Sequence, residues 1–337
     1  MKAMILEGPA PIEARPLHLV DTDVPRPGRG EVVIKVGACG VCRSNLHMIE
    51  GDWARNGVPA KLPIIPGHEI VGRVSALGEG VQGTSLGDRV GIQPLWSTCE
   101  KCEYCLTGRE ELCPYKGVTG ETVDGGYAEY VLAKERHIYP VPESISDAEA
   151  APLFCPGITA FSAVAKARLA PGRTLAVFGY GGVGHMVQQI AQLAGAEVTV
   201  VARSASHLAL AMKLGAARTI DVSTTAADEV LRKGGGVDAA ILFAPSSALL
   251  KQAIRGTKAG GVIVVGAFAE VGELPFVEEK TVVGSLLGSR EQMRELLHLA
   301  GAGKIRAVVE SFPLDQAGDA LQRLKREEFE ARAVVVP

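Results

Sequence analysis

Four of the chain's seven cysteines fall in one short segment, at the spacing C-x-x-C-x-x-C-x7-C. They are Cys99, Cys102, Cys105 and Cys113, in a polar stretch that contains glycine. Four thiolates this close in sequence suit a closed tetrahedral zinc site, which leaves no position for a substrate and instead orders the surrounding loop. An iron–sulfur cluster is the alternative, because it also binds four cysteines. The spacing favours structural zinc.

Three other segments carry residue types that could form a second metal site. Residues 39–47 read CGVCRSNLH, residues 66–69 read PGHE and residues 153–159 read LFCPGIT. Thiolates and imidazoles are usual zinc ligands. Each segment taken alone is equally consistent with a buried cysteine or a hydrogen-bonded histidine, and spacing does not show whether the segments meet in space.

A glycine-rich turn, GYGGVG at residues 179–184, follows an apolar run and precedes a helical pattern. This G-x-G-x-x-G pattern in a strand–turn–helix setting predicts a dinucleotide site. The first glycine allows the tight turn, the second lets the backbone approach the pyrophosphate, and the third lets the helix pack closely on the strand. The helix N-terminus offers free N–H groups to the phosphates. The predicted cofactor contacts here are Gly179, Gly181, Gly182, Val183 and Gly184.

The end of the second strand of this pattern should select the cofactor. NAD sites usually have Asp or Glu there to bind the ribose 2′-hydroxyl. In this chain the strand runs into Ala202, Arg203 and Ser204, with no carboxylate at its end. Arg203 can pair with a 2′-phosphate and Ser204 can donate a hydrogen bond to it, and His207 lies one turn further on. The sequence therefore predicts NADP(H) in preference to NAD(H).

The elements that must position these residues fall into two patterns. The first 150 residues or so hold short β-type runs broken by turns, at Glu31–Val36, Ile70–Val74 and Tyr127–Leu132, which predict an antiparallel, barrel-like β domain. From residue 157, short apolar strands alternate with helical patterns, which predicts an α/β domain with a doubly wound parallel sheet. Its strands are predicted at 174–178, 197–202, 218–221, 238–243, 261–265 and 281–286, and its helices at 183–194, 205–214, 225–233 and 246–258.

The domain prediction follows from these patterns. Residues 1–156 and 287–337 form the first domain, which carries the zinc loop at 95–115, and residues 157–286 form the dinucleotide-binding domain. The 337-residue length suits two domains. A net charge of −3 gives no reason to expect a nucleic acid or an anionic membrane as partner. The N-terminus lacks a signal-peptide pattern and no apolar run is long enough to span a bilayer, so a cytoplasmic protein is expected.

The chain resembles the medium-chain, zinc-dependent alcohol dehydrogenases over essentially its full length. The resemblance rests on five motifs in the family's order: C-x-x-C-R-S-N-L-H, G-H-E, the four-cysteine segment, the Cys155 segment and G-Y-G-G-V-G. It implies a barrel-like, mostly β catalytic domain of the GroES-like type, a Rossmann domain, and an active site in the cleft between them. It also implies hydride transfer between an alcohol and a nicotinamide cofactor, with two zinc ions per chain.

The resemblance also assigns roles to individual residues. It implies that Cys42, His68 and Cys155 bind the catalytic zinc, that Glu69 is a neighbouring carboxylate able to approach it, and that Cys39 is not a ligand. A Cys₂His zinc site keeps one position for the substrate oxygen, on which the metal acts as a Lewis acid. Ser44 would take the alcohol proton and His47 would deliver it to water. Further cofactor contacts implied by position are Arg43, Thr159, Gly266, Ala267, Ser285, Leu286 and Arg332, and candidate walls of the substrate pocket are Trp53, Leu95 and Trp96.

One position departs from the family pattern, which usually has Asp where this chain has Asn45. A carboxylate that accepts a hydrogen bond from a zinc-bound histidine fixes its tautomer and raises its basicity. An amide can accept the same bond without the charge. We expect an altered zinc affinity or bound-water pKa, with activity retained.

The leading interpretation is an NADP(H)-preferring dehydrogenase of primary aliphatic or aromatic alcohols that acts as a homo-oligomer, a dimer or a tetramer. The same chemistry on secondary alcohols or polyols with NAD(H) is the alternative. A zinc-free reductase of quinones or activated alkenes is disfavoured by the presence of Cys42, His68 and Cys155 together. A nucleotide-sensing protein without activity is disfavoured by Ser44 and His47, since a sensor needs no proton path.

Overall fold

The computed structural model describes residues 1–337 and divides into two compact units. The first unit comprises Met1–Cys155, Ser289–Gly303 and Ala307–Pro337. The second unit comprises Pro156–Gly288 and Lys304–Arg306.

The chain forms strands and α-helices in the following order: β1 (Lys2–Leu6), β2 (Leu17–Asp21), β3 (Glu31–Gly40), α1 (Arg43–Glu50), β4 (Ile70–Leu77), β5 (Arg89–Ile92), β6 (Leu95–Ser97), α2 (Glu103–Leu106), β7 (Gly117–Val118), β8 (Tyr130–Lys134), β9 (Ile138–Pro140), α3 (Asp147–Ala150), α4 (Pro156–Lys166), β10 (Thr174–Phe178), α5 (Gly184–Leu193), β11 (Glu197–Ala202), α6 (Ala205–Lys213), β12 (Arg218–Asp221), α7 (Ala227–Lys233), β13 (Val237–Leu242), α8 (Ser247–Gly256), β14 (Thr257–Val265), β15 (Thr281–Gly284), α9 (Arg290–Gly301), β16 (Val309–Pro313), α10 (Ala317–Lys325) and β17 (Arg332–Val336). Short 3₁₀ turns join several of them, including Ala151–Phe154.

A seven-stranded sheet organises the first unit, in the order β16-β17-β3-β4-β5-β9, with β8 also paired to β3. All of its pairs are antiparallel except β16 with β17. The sheet is therefore mixed: the C-terminal strands β16 and β17 are parallel to each other, and β17 joins β3 in the antiparallel direction. Its apolar side chains join those of β1 and α1 in one buried cluster.

The boundaries of all three predicted strands differ in this unit, and β4 runs three residues beyond its predicted end, to Leu77. The strand expected at 127–132 begins only at Tyr130, because the carbonyl of Tyr127 accepts from Met4 N and Ala128 forms a bridge with Ala3. The N-terminal strand thus takes the backbone groups of the first residues of that run. β3 runs four residues beyond its predicted end, to Gly40.

The second unit is a six-stranded parallel sheet in the order β12-β11-β10-β13-β14-β15. Its central strands read as continuous apolar runs, since helices cover both faces of such sheets, and Leu175–Phe178 of β10 are all buried. The strand order reverses between β10 and β13, which is where ligands bind in open α/β sheets. The predicted fold class, a GroES-like β domain plus a Rossmann domain, is confirmed.

The remaining differences in the second unit are small. The last three strands were predicted at 238–243, 261–265 and 281–286 and occupy Val237–Leu242, Thr257–Val265 and Thr281–Gly284. The helix predicted at 246–258 ends at Gly256. Across the molecule no single helix is long and apolar enough to cross a bilayer; the neighbouring helical segments Asp147–Phe154 and Pro156–Lys166 reach those limits only when taken together.

Candidate active site

The end of β3 and the start of β4 bring the first two candidate ligands together. These strands are antiparallel, with Cys39 opposite Ile70, so the residues just after β3 face the residues just before β4. Cys42 is the N-cap of α1, and His68 lies two residues before β4. His68 is only 1% exposed.

Glu69 fits between the end of β3 and the start of β4 because Gly40 has no side chain. A Cβ at Gly40 would lie 1.9 Å from Glu69 Oε2. Glu69 is fully buried, and the Arg332 side chain at the start of β17 pairs with both of its oxygens, with Nε at 3.3 Å from Oε2. A buried carboxylate needs such a partner, because an unpaired buried charge costs several kcal/mol, roughly.

Cys155 reaches the same place from the 3₁₀ turn Ala151–Phe154. Phe154 anchors this turn: its ring lies over Gly91 of β5, where a Cβ would come within 2.0 Å of Cζ. The same ring contacts Tyr139 of β9, with centroids 6.1 Å apart. The turn is thereby held on the sheet, and Cys155 follows it directly.

Four side chains thus converge: Cys42, His68, Glu69 and Cys155 place ligand atoms within 4.8 Å of one another. The two sulfurs, Cys42 Sγ and Cys155 Sγ, are 3.8 Å apart. Two sulfurs bound to one tetrahedral zinc at 2.3 Å each are separated by about 3.8 Å. The donor set and its spacing therefore fit a zinc ion, which Cys42, His68 and Cys155 would hold.

The two cysteines of the first motif differ in character. The contact with the Cys155 thiol holds the pKa of Cys42 well below its usual range, as a thiolate ligand requires. Burial raises the pKa of Cys39, whose sulfur packs near Gly67 and Gly126. Cys39 is not part of the convergent group, and its environment is that of a packed, protonated thiol.

Polar side chains of α1 surround this group. Ser44 Oγ lies 3.1 Å from Cys42 Sγ and 3.4 Å from His68 Nε2. Asn45 Nδ2 lies 3.3 Å from His68 Nδ1. His47 is one turn further along, with Nδ1 at 2.6 Å from Asp52 Oδ2 and its ring tilted against Trp53. The helix therefore places Ser44 at the ligands and His47 at a more exposed position.

The four cysteines of the loop also converge, with all sulfurs within 4.8 Å. Cys99 Sγ lies 3.9 Å and Cys102 Sγ 3.5 Å from Cys105 Sγ, and the backbone N–H of Cys99 donates to Cys113 Sγ. The backbone N–H of Lys101 lowers the pKa of Cys99 to about 6. None of the seven cysteines forms a disulfide. This loop suits one tetrahedral metal ion.

Other predicted residues of the first unit lie in defined contacts. Arg43 donates to the carbonyl of Leu324 at 3.1 Å, and Arg332 already pairs with Glu69, so pyrophosphate contacts of both arginines stay predictions. Leu95 is 1% exposed on β6. Trp96 donates through Nε1 to the carbonyl of Leu132 and stacks under Lys134 Nζ. These contacts place Trp96 against β8, and the structure gives it no contact with the convergent ligands.

The glycine-rich turn of the second unit has the geometry that its pattern predicts. Gly179 has φ +92°, and a Cβ there would lie 2.9 Å from Ala244 N. A Cβ at Gly184 would lie 2.3 Å from the carbonyl oxygen of Gly179, so α5 packs tightly on β10. A Cβ at Gly181 would meet nothing within 4 Å. Gly181 is therefore the open position, where a pyrophosphate can approach the backbone.

The residues predicted to select the cofactor lie beside this turn. β11 is parallel to β10, with Phe178 opposite Val201, so its end at Ala202 lies next to Gly179. Arg203 is exposed, Ser204 is the N-cap of α6, and its Oγ lies 2.7 Å from Ser206 Oγ. His207 meets the ring of Tyr180 edge-on at 6.5 Å.

The remaining cofactor candidates of the late strands lie at the carboxyl ends of the parallel strands, as the glycine-rich turn does. Gly266 and Ala267 follow β14, and Ser285 and Leu286 follow β15. Ser285 Oγ accepts a hydrogen bond from Lys166 at 3.0 Å. Thr159 is half-buried in the first turn of α4.

The sequence analysis did not identify two contacts and one further residue of the site. Asp52, five residues after His47, orients its ring; a carboxylate this close in sequence was the available signal. The ion pair of Glu69 with Arg332 joins residues 263 positions apart and left no local signal. Glu121, whose loop packs on the His68 segment, was not singled out either.

Comparison with known proteins agrees with this arrangement. Residues 28–143 match the family model of the alcohol dehydrogenase GroES-like domain, and residues 182–302 match that of the zinc-binding dehydrogenases. An alcohol dehydrogenase of Geobacillus stearothermophilus is 37% identical, over 99% of both chains. An NAD-dependent alcohol dehydrogenase of Sulfurisphaera tokodaii is 36% identical, over 96% of this chain and 97% of that one.

A solved structure shares the fold as well. A zinc-binding dehydrogenase of Sinorhizobium meliloti bound to NADP superimposes with a TM-score of 0.88 at 28% identity, over 100% of this chain and 99% of that one. Both domains, their order along the chain and the full-length identity to the relatives agree with the motifs. The chain therefore belongs to the zinc-binding alcohol dehydrogenase family of the medium-chain dehydrogenases/reductases.

Proposed function

We propose that this protein is a zinc-dependent alcohol dehydrogenase that interconverts primary aliphatic or aromatic alcohols and their aldehydes, with NADP(H) preferred. The observation that carries the proposal is the convergence of Cys42, His68 and Cys155, from three distant segments, with ligand atoms within 4.8 Å. Two thiolates and one imidazole are a catalytic set because they leave one zinc position for substrate. Bound there, zinc supplies Lewis-acid polarisation of the substrate oxygen.

The chain's own residues handle the ligands and the proton. Cys42, His68 and Cys155 hold the metal, and Arg332 balances the charge of Glu69. Ser44 Oγ, within 3.4 Å of the ligand atoms of Cys42 and His68, is the first acceptor for the alcohol proton. His47 is the exit, because its ring is partly exposed and is held in place by Asp52, with Nδ1 at 2.6 Å from Oδ2.

The preference for NADP(H) rests on the end of β11. Ala202 offers no carboxylate to repel a 2′-phosphate, and Arg203 and Ser204 supply a cation and a hydroxyl donor beside the glycine turn. An Arg–phosphate contact is charge-assisted and is among the stronger hydrogen bonds in proteins. The NADP bound to the Sinorhizobium meliloti protein makes this cofactor chemically reasonable for the fold.

A second candidate is a secondary-alcohol or polyol dehydrogenase that uses NAD(H). The NAD dependence named for the Sulfurisphaera tokodaii relative favours it. The metal ligands and the proton path are the same in both candidates, so the two differ only in the cofactor and the substrate.

The test is an activity screen of purified protein with NADPH and NADH over short aliphatic, benzylic, allylic and secondary substrates. We expect turnover that a zinc chelator abolishes and added zinc restores, and about two zinc ions per chain. Equal catalytic efficiency with both cofactors would contradict the NADP(H) preference. Absence of turnover over the whole panel would favour the nucleotide-sensing alternative. Quinone reduction that resists the chelator would favour the zinc-free reductase.

We also propose that the chain acts as a homo-oligomer. β15 is the edge strand of the six-stranded sheet, and the segment before it exposes Phe268, Phe276 and Val277 at 86%, 86% and 76%. An open edge beside exposed apolar side chains is a common pairing surface. Light scattering after size exclusion distinguishes a dimer or tetramer from a monomer.

A further inference from the structure

A loop that follows β7 lies directly on the segment that carries His68. The backbone N–H of Gly125 donates to Ile65 O at 2.7 Å, and that of Gly126 donates to Gly67 O at 2.9 Å. A Cβ at Gly120 would lie 2.8 Å from Gly67 N. The two segments are therefore in backbone contact, with no side chain between them.

This contact places Glu121 close to the metal ligands. Gly120 immediately precedes Glu121, and Gly67 immediately precedes His68. With consecutive Cα atoms 3.8 Å apart, the Cα atoms of Glu121 and His68 are at most about 13 Å apart, a gap that two long side chains largely span. The N–H of Ala60 donates to the carbonyl of Glu121 at 2.9 Å and holds this residue from the other side.

The carboxylate of Glu121 has no hydrogen-bond or ion-pair partner in the chain. It is nevertheless half-buried, and burial raises its pKa, while its charge interacts with those of His68 and Cys42. Asp124, in the same loop, behaves differently: its oxygens accept from Lys61 Nζ at 2.7 Å and from Ile65 N at 3.0 Å. A half-buried carboxylate without a donor in the chain takes its hydrogen bonds from water or from a ligand that displaces it.

We propose that Glu121 forms a substrate subsite that accepts a hydrogen bond from a second donor group, a hydroxyl or an ammonium, on the alcohol. The subsite rests on the proposed function, since the alcohol oxygen must lie at Cys42, His68 and Cys155. Glu121 is then a specificity-determining residue. It selects alcohols that carry a donor a few atoms from the reacting carbon.

The charges around the site support this selection. Two thiolates balance a divalent ion and Arg332 pairs with Glu69, whereas Glu121 has no ion-pair partner and is offset only by the unpaired charge of Lys116. The subsite therefore attracts an ammonium, accepts a hydroxyl and repels a carboxylate. Of matched substrates, amino alcohols and diols are favoured over simple alcohols, and hydroxy acids are rejected.

The test compares wild type with Glu121→Gln and Glu121→Asp on α,ω-diols, amino alcohols and 1-alkanols of matched length, from two to five heavy atoms between the ends. In wild type the kcat/KM of the best diol or amino alcohol should exceed that of its matched alkanol. Glu121→Gln should lower this ratio about 10-fold or more, because the amide oxygen still accepts a hydrogen bond but lacks the charge that strengthens it. The loss should appear mainly in KM. Glu121→Asp, which keeps the charge, should retain part of the preference. In Glu121→Gln the kcat/KM of the amino alcohol should fall more than that of the diol.

Glu7→Gln is the matched control, because it removes one negative charge from an exposed position of the same unit. It should leave every ratio unchanged. Zinc content and thermal midpoint of each variant show that the fold is intact, since Gln preserves the shape of Glu.

Binding separates this inference from the proposed function. Dissociation constants of the same compounds, measured by calorimetry on the zinc-loaded protein with oxidised cofactor, should show the same Glu121-dependent preference. If no compound is turned over but this preference is present, the subsite stands and the proposed function fails. If 1-alkanols are turned over while the ratios of wild type and Glu121→Gln are equal, or wild type shows no preference, the subsite is overturned and the dehydrogenase stands.

Discussion

Nδ2 of Asn45 lies 3.3 Å from Nδ1 of His68, and both side chains are buried. An imidazole that binds metal through Nε2 carries its proton on Nδ1 and needs an acceptor there. Oδ1 of Asn45 is buried with no partner, and a half-turn of the amide places this oxygen where it accepts a hydrogen bond from Nδ1–H of His68. The uncharged amide oxygen of Asn45 thus holds the ring of His68, at a position where the family usually has a carboxylate.

The first prediction concerns Asn45→Asp. A charged acceptor on Nδ1–H raises the basicity of His68, so zinc should bind more tightly, by about 10-fold or more. Competition with a chromophoric chelator measures this affinity.

Asn45→Leu is the control, since it keeps the size and removes the acceptor. It should weaken zinc binding. Equal zinc affinity in wild type, Asn45→Asp and Asn45→Leu would show that this contact does not tune the metal.

The second prediction concerns the ion pair of Glu69 with Arg332, whose side chains are 0% and 6% exposed. Arg332→Met should destabilise the first unit by about 3–5 kcal/mol, because it leaves a buried charge unpaired. Adding Glu69→Gln should recover part of that loss. Chemical unfolding followed by a probe in the first unit measures both.

Arg73→Met is the comparison, because the Arg73–Glu143 pair is 54% and 69% exposed. It should cost less than about 1 kcal/mol. Similar losses for the buried and the exposed pair would contradict the argument from burial.

The third prediction concerns cofactor choice at the end of β11. Arg203→Ala should lower kcat/KM with NADPH about 10- to 100-fold, the effect of one charge-assisted contact, and change that with NADH little. Ala202→Asp should shift the preference further toward NADH, because its carboxylate repels the phosphate and accepts from a ribose hydroxyl.

Lys213→Ala removes an exposed cation from the other end of α6 and serves as the control. It should leave the ratio of the two efficiencies unchanged. An unchanged ratio in Arg203→Ala as well would exclude Arg203 as the phosphate ligand.

The fourth prediction concerns the four-cysteine loop. Cys102→Ser should lower the zinc content from about two to about one ion per chain and reduce the thermal midpoint, because the polar loop loses the ion that orders it. Cys39→Ala, outside both metal groups, should keep two. Iron and acid-labile sulfide in the purified protein, measured alongside zinc, would instead favour the iron–sulfur alternative.

The fifth prediction concerns His185, in the first turn of α5. Burial lowers its pKa to about 4 from an ordinary value of 6.5. The unfolded chain therefore binds a proton that the folded chain refuses, and the stability of the second unit should be complete above pH 6.5 and fall as pH drops from 6.5 toward 4. At one pKa unit per about 1.4 kcal/mol, the full effect is on the order of 3 kcal/mol.

His185→Gln should make the fall shallower. Comparing the variant with wild type at pH 8 isolates any loss of packing, and the additional change down to pH 5 reports the titration. Parallel stability curves for the two proteins would contradict a buried neutral imidazole.

Local patterns were sufficient for much of the fold. The apolar runs of the second unit and the turn at 179–184 are local signals, because a strand, a tight turn and a helix depend on neighbouring residues. The boundaries at Tyr130 and Thr257 were missed, because the pairing of β1 with residues 127–128 and of β13 with β14 decides them.

The metal sites divide in the same way. The sequence alone determined the four-cysteine loop, because its ligands lie within 15 residues and their chemistry is visible in their spacing. Only the tertiary structure decided that Cys42 and Cys155, 113 positions apart, place their sulfurs 3.8 Å from each other. It also decided that Gly40 makes room for Glu69, and that Arg332 neutralises it. Such contacts depend on which strands pair and where a turn packs on the sheet. Long-range pairing of this kind produces no periodic pattern in the sequence.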